Sequence, residues 1–271
     1  MTRAQSDKGR NAMSRTDQAD SKSGPPGTEP LTLAIDIGGS HLKAGVLDLA
    51  AAMIAGPQRV TTPKPAKPEA VVVALVALTT ALGRFDRISV GFPGVVRAGC
   101  VRAAPNLGGK AWRGFPLAAE LARHLGKPVR MLNDASIQGL GVIGGHGLEC
   151  VLTMGTGMGF ALFEDGRLAP HLEMSQHPVK TGTTYDQYVG NAALQKIGAK
   201  HWNRRMRKVI GYMKALVSYD MLYIGGGNAR LIAPPLPGDV KLVSNEAGIT
   251  GGIRLWDKRM DAAFEEHTGF A

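Results

Sequence analysis

Cysteine is scarce in this 271-residue chain, which contains only Cys100 and Cys150. Two cysteines are too few for a disulfide framework or a Cys-rich zinc site, so we expect no structural zinc. Both stand in apolar sequence and are interpreted as small core residues. This usage fits a reducing compartment, and a cytoplasmic location is expected.

Long apolar runs are absent as well. The longest, residues 70–78, is followed directly by Thr79 and Thr80 and is too short to span a bilayer, so we interpret it as a buried helix and expect no membrane partner. The first 29 residues lack an apolar signal core and mix five basic and four acidic side chains with Ser, Gly and Pro. They are predicted to form a disordered tail rather than a signal or transit peptide.

Acidic residues are outnumbered, since the formal net charge is +10 and the tail contributes only +1 of it. A basic domain binds nucleic acid, an anionic surface or a polyanionic substrate, or simply has a basic surface, and charge alone does not choose among these. No acidic residue occurs between Asp186 and Asp220. This stretch is either a solvated helix face or an anion-binding one, and it includes Lys200, Arg204, Arg205, Arg207, Lys208 and Lys214.

Apolar periodicity predicts strands that alternate with helices, which is the pattern of an α/β protein. The predicted strands are residues 31–37, 43–49, 87–92, 129–132, 151–154, 160–163 and 221–224, and 57–68 is interpreted as a Pro- and Lys-rich connection. The predicted helices are residues 68–82, 116–125, 135–145, 185–219 with a break near Gly198, and 246–265. A hairpin with a glycine turn occurs twice, at 31–49 and 151–163, which indicates two lobes of similar design with a cleft between them. We expect lobes at 30–134 and 135–271, with the last helix able to pack back on the first lobe.

Three predicted strands run into glycine-rich turns, at 38–39, 155–157 and 225–227. Glycine lets a backbone turn sharply and approach a phosphate, and successive turn amides can form an anion-binding concavity. Ser40 would add a hydroxyl donor, Lys43 a positive charge, and Asp36 a carboxylate able to hold Mg²⁺ through water. Each turn alone is compatible with an ordinary connection, but three together favour a phosphate site. None has the spacing of a Walker loop or of a dinucleotide fingerprint.

Asp134 is the candidate general base, because it ends a predicted buried strand and can lie at the floor of a cleft. The alternative is that Asp134 only caps the helix that starts at Ala135. Asn133 beside it can hydrogen-bond a polyol. Asn106 and Glu173 lie in loops and could bind sugar hydroxyls, or be ordinary surface residues.

Six short motifs occur in the order found in ROK-family sugar kinases, and the resemblance spans residues 31 to about 256. These motifs are Asp36-Ile37-Gly38-Gly39-Ser40, Gly91-Phe92-Pro93-Gly94, Ala104-Pro105-Asn106-Leu107, Leu132-Asn133-Asp134-Ala135, Thr153-Met154-Gly155-Thr156-Gly157 and Ile224-Gly225-Gly226-Gly227. Within that family the chain most resembles the polyphosphate glucokinase branch.

The resemblance implies a two-lobed actin-like ATPase (ribonuclease H-like) fold with an interdomain cleft, and a kinase that phosphorylates the 6-hydroxyl of glucose. It implies Mg²⁺ at Asp36, polyphosphate, ATP or both as donor, no nucleic-acid partner, and a homodimer. The implied donor-binding residues are Asp36, Gly38, Gly39, Ser40, Lys43, Gly155, Thr156, Gly157, Gly226 and Gly227. The implied sugar-binding residues are Asn106, Asn133, Asp134 (also the base), Glu173 and His177.

The chain departs from the family pattern after Glu173. Many ROK kinases have a Glu-x-Gly-His motif and a downstream zinc loop, whereas here Gln176 stands at the histidine position, His177 follows it, and the zinc loop is missing, as in the polyphosphate branch. In this interpretation His177 substitutes for the missing histidine, and the basic stretch after Gly198 is a track for polyphosphate. The alternatives are an ATP-dependent ROK hexokinase or fructokinase, and a non-catalytic sugar-sensing or nucleic-acid-binding protein on the same scaffold.

Overall fold

The computed structural model describes residues 29–244 and 247–264, so all but the last residue of the predicted 1–29 tail lies outside the described residues. The first part of the chain forms β1 (Thr32–Ile37), β2 (His41–Leu47), β3 (Met53–Thr61), α1 (Pro68–Thr79), β4 (Arg87–Phe92), β5 (Val95–Arg97), β6 (Cys100–Ala103), α2 (Leu117–Leu125) and β7 (Val129–Asn133). The second part forms α3 (Asp134–Leu140), β8 (Leu148–Met154), β9 (Met158–Glu164), β10 (Arg167–Leu168), β11 (Pro178–Lys180), β12 (Thr183–Thr184), α4 (Tyr185–Val189), α5 (Asn191–Val217), β13 (Met221–Gly225) and β14 (Val240–Leu242). The described C-terminal segment contains α6 (Ala247–Thr250) and α7 (Asp261–Phe264).

Two five-stranded sheets share one topology. The first has the order β3-β2-β1-β4-β7 and the second has the order β10-β9-β8-β13-β14. In each sheet an antiparallel hairpin is followed by two parallel strands, because β1 pairs with β2 and β4 as β8 pairs with β9 and β13. The duplication predicted from the two hairpin–glycine units is therefore present in the fold.

Each sheet has its own hydrophobic core. The first is built from alternating apolar residues of the central strands, such as Leu33, Ile35 and Ile37, together with the buried Trp112. The second contains Leu152 and Ile224 and is covered by the apolar face of α5. Burial of these side chains is the dominant favourable contribution to folding, and it holds the strand ends that form the cleft.

The C-terminal segment contacts both lobes. Gly252 lies so close to the first sheet that a Cβ there would be 3.1 Å from Cβ of Ser89. The Ser89 hydroxyl donates to the Gly252 carbonyl at 2.7 Å and accepts from the Trp256 indole at 3.0 Å. On the other side, a Cβ on Gly251 would be 2.1 Å from the carbonyl oxygen of Ile137 in α3. This segment therefore contacts β4 of the first sheet as well as α3, which packs against β8 and β9 of the second sheet, through backbone and side-chain groups.

Three sequence predictions are corrected. Residues 57–61 are not part of a connection, because β3 extends from Met53 to Thr61 and pairs with β2 despite Pro57. The helix predicted over 135–145 ends at Leu140, where a run of glycines follows. The single helix predicted over 246–265 is wrong within the described residues, because α6, two 3₁₀ turns and α7 replace it where Gly251 and Gly252 approach neighbouring backbone.

Helix α5 follows the predicted break, since Gly198 has non-helical dihedrals (φ 73°, ψ 160°). Its buried side includes Trp202, Met206 and Val209, and its other side is basic. None of the helices in the described residues is both long enough and apolar enough to cross a membrane.

Candidate active site

The strand ends and glycine turns of the two sheets meet in one cleft. It is lined by Asp36, Gly38, Gly39 and Lys43 from the first hairpin and by Gly155, Thr156 and Gly157 from the second. Asn106, Asn133, Asp134, Glu173, Gly226 and Gly227 complete the predicted residues on its wall. Residues that lie more than 180 positions apart in sequence are therefore brought to one site by the duplicated topology.

Asp134 is the first residue of α3 and lies directly after β7, on the cleft floor. The pKa of Asp134 is raised to about 7, chiefly by burial and also by the negative charges of Asp36 and Glu173. A hydrogen bond from the Ala135 amide (2.8 Å) and the charge of His171 act in the opposite direction. A carboxyl with a pKa near 7 is well suited to accept a proton at neutral pH.

Asn133 is the N-cap of α3. Its side-chain oxygen accepts hydrogen bonds from the amides of Ala135 (2.9 Å) and Ser136 (3.4 Å). Its amide nitrogen donates to the Gly94 carbonyl at 3.1 Å. Capping is thus performed by Asn133, while the Asp134 carboxyl faces the cleft. A contact between Asn133 and a sugar stays a prediction.

Asp36 and Lys43 form the charged pair of the first turn. They are directly opposite each other in the β1–β2 ladder, and Lys43 Nζ donates to Asp36 Oδ2 at 2.9 Å. Lys43 donates to Oδ2 of Asp36 only, so the other carboxylate oxygen, Oδ1, is not bound by the lysine. Mg²⁺ in phosphoryl-transfer sites is held by one or two carboxylates together with substrate phosphates, and Asp36 fits that role. Among residues 29–244 and 247–264, no group of three or more His, Cys, Asp or Glu side chains is arranged to hold a metal.

The glycine turns interlock across the cleft. A Cβ on Gly39 would be 3.3 Å from the carbonyl oxygen of Asn106 and 3.8 Å from Oγ1 of Thr156, so the first and second turns face each other. Gly226 has φ +85°, and a Cβ there would lie 2.5 Å from the Met154 carbonyl oxygen. Only glycine fits this position. It allows the third glycine turn to pack against the end of β8, the strand that precedes the second glycine turn.

Asp186 also lines the cleft, although the sequence analysis did not predict it as a site residue. It accepts hydrogen bonds from the Met158 amide (2.7 Å), from Asn106 Nδ2 (3.4 Å) and from Gln176 Nε2 (3.2 Å). Burial raises the pKa of Asp186, although the Met158 and Asn106 hydrogen bonds oppose this effect. The available signal was weak, because Thr184 caps a helix of only five residues and Asp186 looks like an ordinary first-turn acid.

Glu173 lies beside Asp134 on the cleft wall, and Ser175 and Gln138 also line the cleft without having been predicted. The Ser175 hydroxyl donates to Oε1 of Glu173. Burial alone would raise the pKa of Glu173, yet the contacts with His171 and Ser175 hold it below its ordinary value. Glu173 is therefore a carboxylate held in its ionised form.

Two predicted residues do not line the cleft. Ser40 is exposed, and its carbonyl accepts from the Thr62 amide. His177 is also exposed, and its ring lies 6.2 Å from that of Tyr185. Ligand contacts by Ser40 and His177 stay predictions.

Comparison with known proteins gives a consistent set of relatives. The model of the ROK family matches residues 32–170. The polyphosphate glucokinase of Mycobacterium leprae (strain TN) is 31% identical over 234 residues, which is 80% of this chain and 72% of that protein. The polyphosphate glucokinase of Mycobacterium tuberculosis (strain ATCC 25618 / H37Rv) is 30% identical over 234 residues, which is 80% of this chain and 88% of that protein.

Solved structures agree with these relatives. The inorganic polyphosphate/ATP-glucomannokinase from Arthrobacter sp. strain KM matches with a TM-score of 0.75 and 29% identity over 83% of this chain and 97% of that chain. A ROK family glucokinase from Streptomyces griseus matches with a TM-score of 0.70 and 20% identity over 83% of this chain and 98% of that chain. At this identity the match is evidence for the fold alone. These likenesses confirm the predicted two-lobed actin-like fold.

Proposed function

The chain belongs to the ROK family, and from this premise we propose that it is a glucokinase that transfers a phosphoryl group from inorganic polyphosphate to the 6-hydroxyl of glucose. One observation carries the proposal: Asp134, whose pKa is raised to about 7, lies in the same cleft as three glycine turns. This combines a proton acceptor with a phosphate cradle. The curated relatives named above are polyphosphate glucokinases, which supports the same assignment.

In the proposed reaction, deprotonated Asp134 accepts the proton of the sugar hydroxyl as that oxygen attacks the terminal phosphorus of the donor. The bond from this phosphorus to the bridging oxygen breaks, and the polyphosphate leaves shortened by one phosphate. Phosphoryl transfer asks the protein mainly for positioning and for neutralisation of charge. Backbone amides of the glycine turns and the Lys43 ammonium would bind donor oxygens. Asp36 would hold Mg²⁺, which when bound neutralises developing charge on the phosphates.

The sugar would lie between Asn106 on the first lobe and Glu173 on the second. Both residues line the cleft, and Glu173 is an ionised acceptor. An ionised carboxylate makes hydrogen bonds to hydroxyls that are stronger than neutral ones, which favours a polyol substrate. Asp134 lies beside them, so the reacting hydroxyl would point to the cleft floor.

The donor assignment rests on the basic side of α5. Two of its charges already have structural roles: Arg205 donates to the Tyr188 carbonyl at 2.9 Å, and Lys214 pairs with Asp239 at 2.9 Å. The remaining members of the predicted track are exposed, namely Lys200, Arg204, Arg207 and Lys208. Helix α5 begins at the second glycine turn, where the Asn191 amide donates to the Gly155 carbonyl at 3.0 Å. A long polyanion with its end in the cleft could therefore continue along this helix.

The test is a donor swap. Glucose 6-phosphate formation is measured with polyphosphate of defined chain length and with ATP, each with Mg²⁺. Product with polyphosphate at a higher kcat/KM than with ATP supports the proposal. A clear preference for ATP would reassign the chain to the ATP-dependent ROK hexokinases, and no product with either donor would overturn the kinase assignment.

A homodimer and a cytoplasmic location belong to the same proposal. Both cysteines, Cys100 and Cys150, are free thiols, which is compatible with a reducing compartment. Light scattering coupled to size-exclusion chromatography measures the oligomeric state directly, and a mass close to 28.6 kDa would contradict the dimer.

A further inference from the structure

His171 lies behind the sugar side of the cleft, in the loop between β10 and Glu173. Both of its ring nitrogens are buried, and neither has a hydrogen-bond partner within the described residues. Buried polar atoms are almost always hydrogen-bonded, so an unpaired pair on one imidazole calls for an explanation.

The nearest charged group is the carboxylate of Glu173. His171 Nε2 lies 3.5 Å from Glu173 Oε2, which is an ion-pair distance and is longer than a well-formed hydrogen bond. The other oxygen of Glu173 is already bound by the Ser175 hydroxyl. Thus Ser175 binds one oxygen of the carboxylate, and His171 lies beside the other.

We propose that His171 is a positioning residue for the sugar: its Nε2–H turns onto Oε2 of Glu173 when the hexose binds and fixes that carboxylate against the sugar hydroxyls. The inference rests on the proposed function, since it takes Glu173 as a sugar ligand. It explains the unpaired Nε2 as a donor that completes its hydrogen bond only with ligand present. Catalytic hydrogen bonds are often long or poorly aligned in ligand-free structures and tighten in the complex.

His171 lies next to groups that are assigned to the sugar rather than to the donor. It is 3.5 Å from Glu173, and its charge also acts on Asp134, while it is not itself among the residues that line the cleft. His171 should therefore affect sugar binding and leave donor binding unchanged. A residue with a purely structural role would change both, together with stability.

The test is a double-mutant cycle on sugar binding, with glucose affinity measured by calorimetry in the absence of donor. His171→Leu in the otherwise unchanged chain should weaken glucose binding about tenfold, the size expected for one hydrogen bond to a charged group. In a Glu173→Gln background the same change should have less than a twofold effect. His171→Gln keeps a donor that can reach Glu173 and should stay within about threefold of the unchanged chain.

Steady-state kinetics supply the second readout: His171→Leu should raise KM for glucose and leave KM for polyphosphate unchanged. His146→Leu, an exposed histidine outside the cleft, is the matched control and should change neither. The role of His171 is overturned if His171→Leu weakens glucose binding equally in the unchanged chain and in the Glu173→Gln background. It is also overturned if His171→Leu does not weaken glucose binding at all. If the unchanged chain itself binds no hexose, the proposed function fails as well, and that result is distinct from a chain that binds glucose without coupling.

Discussion

Asn106 of the first lobe and Asp186 of the second are hydrogen-bonded across the cleft, with Asn106 Nδ2 3.4 Å from Asp186 Oδ2. The same carboxylate accepts from the Met158 amide, next to the second glycine turn, and from Gln176, in the loop of Glu173. Gly157 packs directly against it, because a Cβ there would be 2.2 Å from Asp186 Oδ1. One half-buried acid thus connects the proposed sugar side with the proposed donor side.

Asp186→Ala should therefore raise KM for glucose and for the donor together and lower kcat/KM about tenfold or more. The reason is that the hydrogen bonds to the Met158 amide, Asn106 and Gln176 are lost together, and a loss of only about 1.4 kcal/mol of transition-state binding lowers kcat/KM tenfold. Initial-rate kinetics with each substrate varied in turn measure this. Glu120→Ala, which removes a surface pair with Arg123 in α2, outside the cleft, is the control and should stay within about twofold. A rise in only one KM would contradict the connecting role.

Asp134→Asn should lower kcat by about 10²-fold or more, because loss of a general base has at least that effect. The amide keeps the shape and an acceptor for the Ala135 amide, so the folded state should be retained by circular dichroism and thermal melting. Asp165→Asn, on a hairpin turn outside the cleft, provides the matched comparison. Turnover close to that of the unchanged chain would remove Asp134 from the reaction.

The pH dependence of kcat/KM should have its acid limb near the raised pKa of Asp134. Because the base works in its deprotonated form, the rate should increase through about pH 7 and level off above it. A profile that is already flat above pH 5 would show that the base has an ordinary pKa.

The free energy of unfolding should decrease as pH rises towards 7, whereas kcat/KM should increase. The folded-state pKa of Asp134, about 7, is above its unfolded value of 3.8, so the folded state binds the extra proton. This contribution to the free energy of unfolding is complete below pH 3.8 and is lost as pH rises through about 7. Asp134→Asn lacks the titration, so its melting temperature relative to the unchanged chain should increase between pH 4 and 7. A difference that is constant over that range would contradict the buried ionisation.

Reversal of charge on the exposed side of α5 tests the donor. The triple variant Lys200→Glu, Arg204→Glu, Lys208→Glu should raise KM for polyphosphate at least tenfold, with a smaller effect at high salt because exposed charges are screened. KM for ATP should change by less than about twofold, since a nucleotide triphosphate is short enough to be bound by the glycine turns alone.

The matched control for this variant reverses Lys64, Lys67 and Arg97, three exposed basic residues of the first lobe. Its net charge is the same, so any general effect of charge on association appears in both. Equal losses in the two triple variants would exclude a specific track on α5.

Local sequence is sufficient to predict many of the strands and turns of this protein. Alternating apolar residues followed by glycine predict β1, β4, β8 and β13 and their turns, because strand formation and tight turns depend on neighbouring residues. The motif set around Asp134 predicts most of the cleft, because each turn follows a strand and parallel strands present their ends at the same edge of a sheet.

Only the tertiary structure decides the rest. Asp186 belongs to the cleft because α4 packs under the second glycine turn. The C-terminal segment is broken because Gly251 and Gly252 must approach the backbone of both lobes. These features depend on contacts between residues far apart in the chain, and spacing along the sequence contains no measure of such contacts.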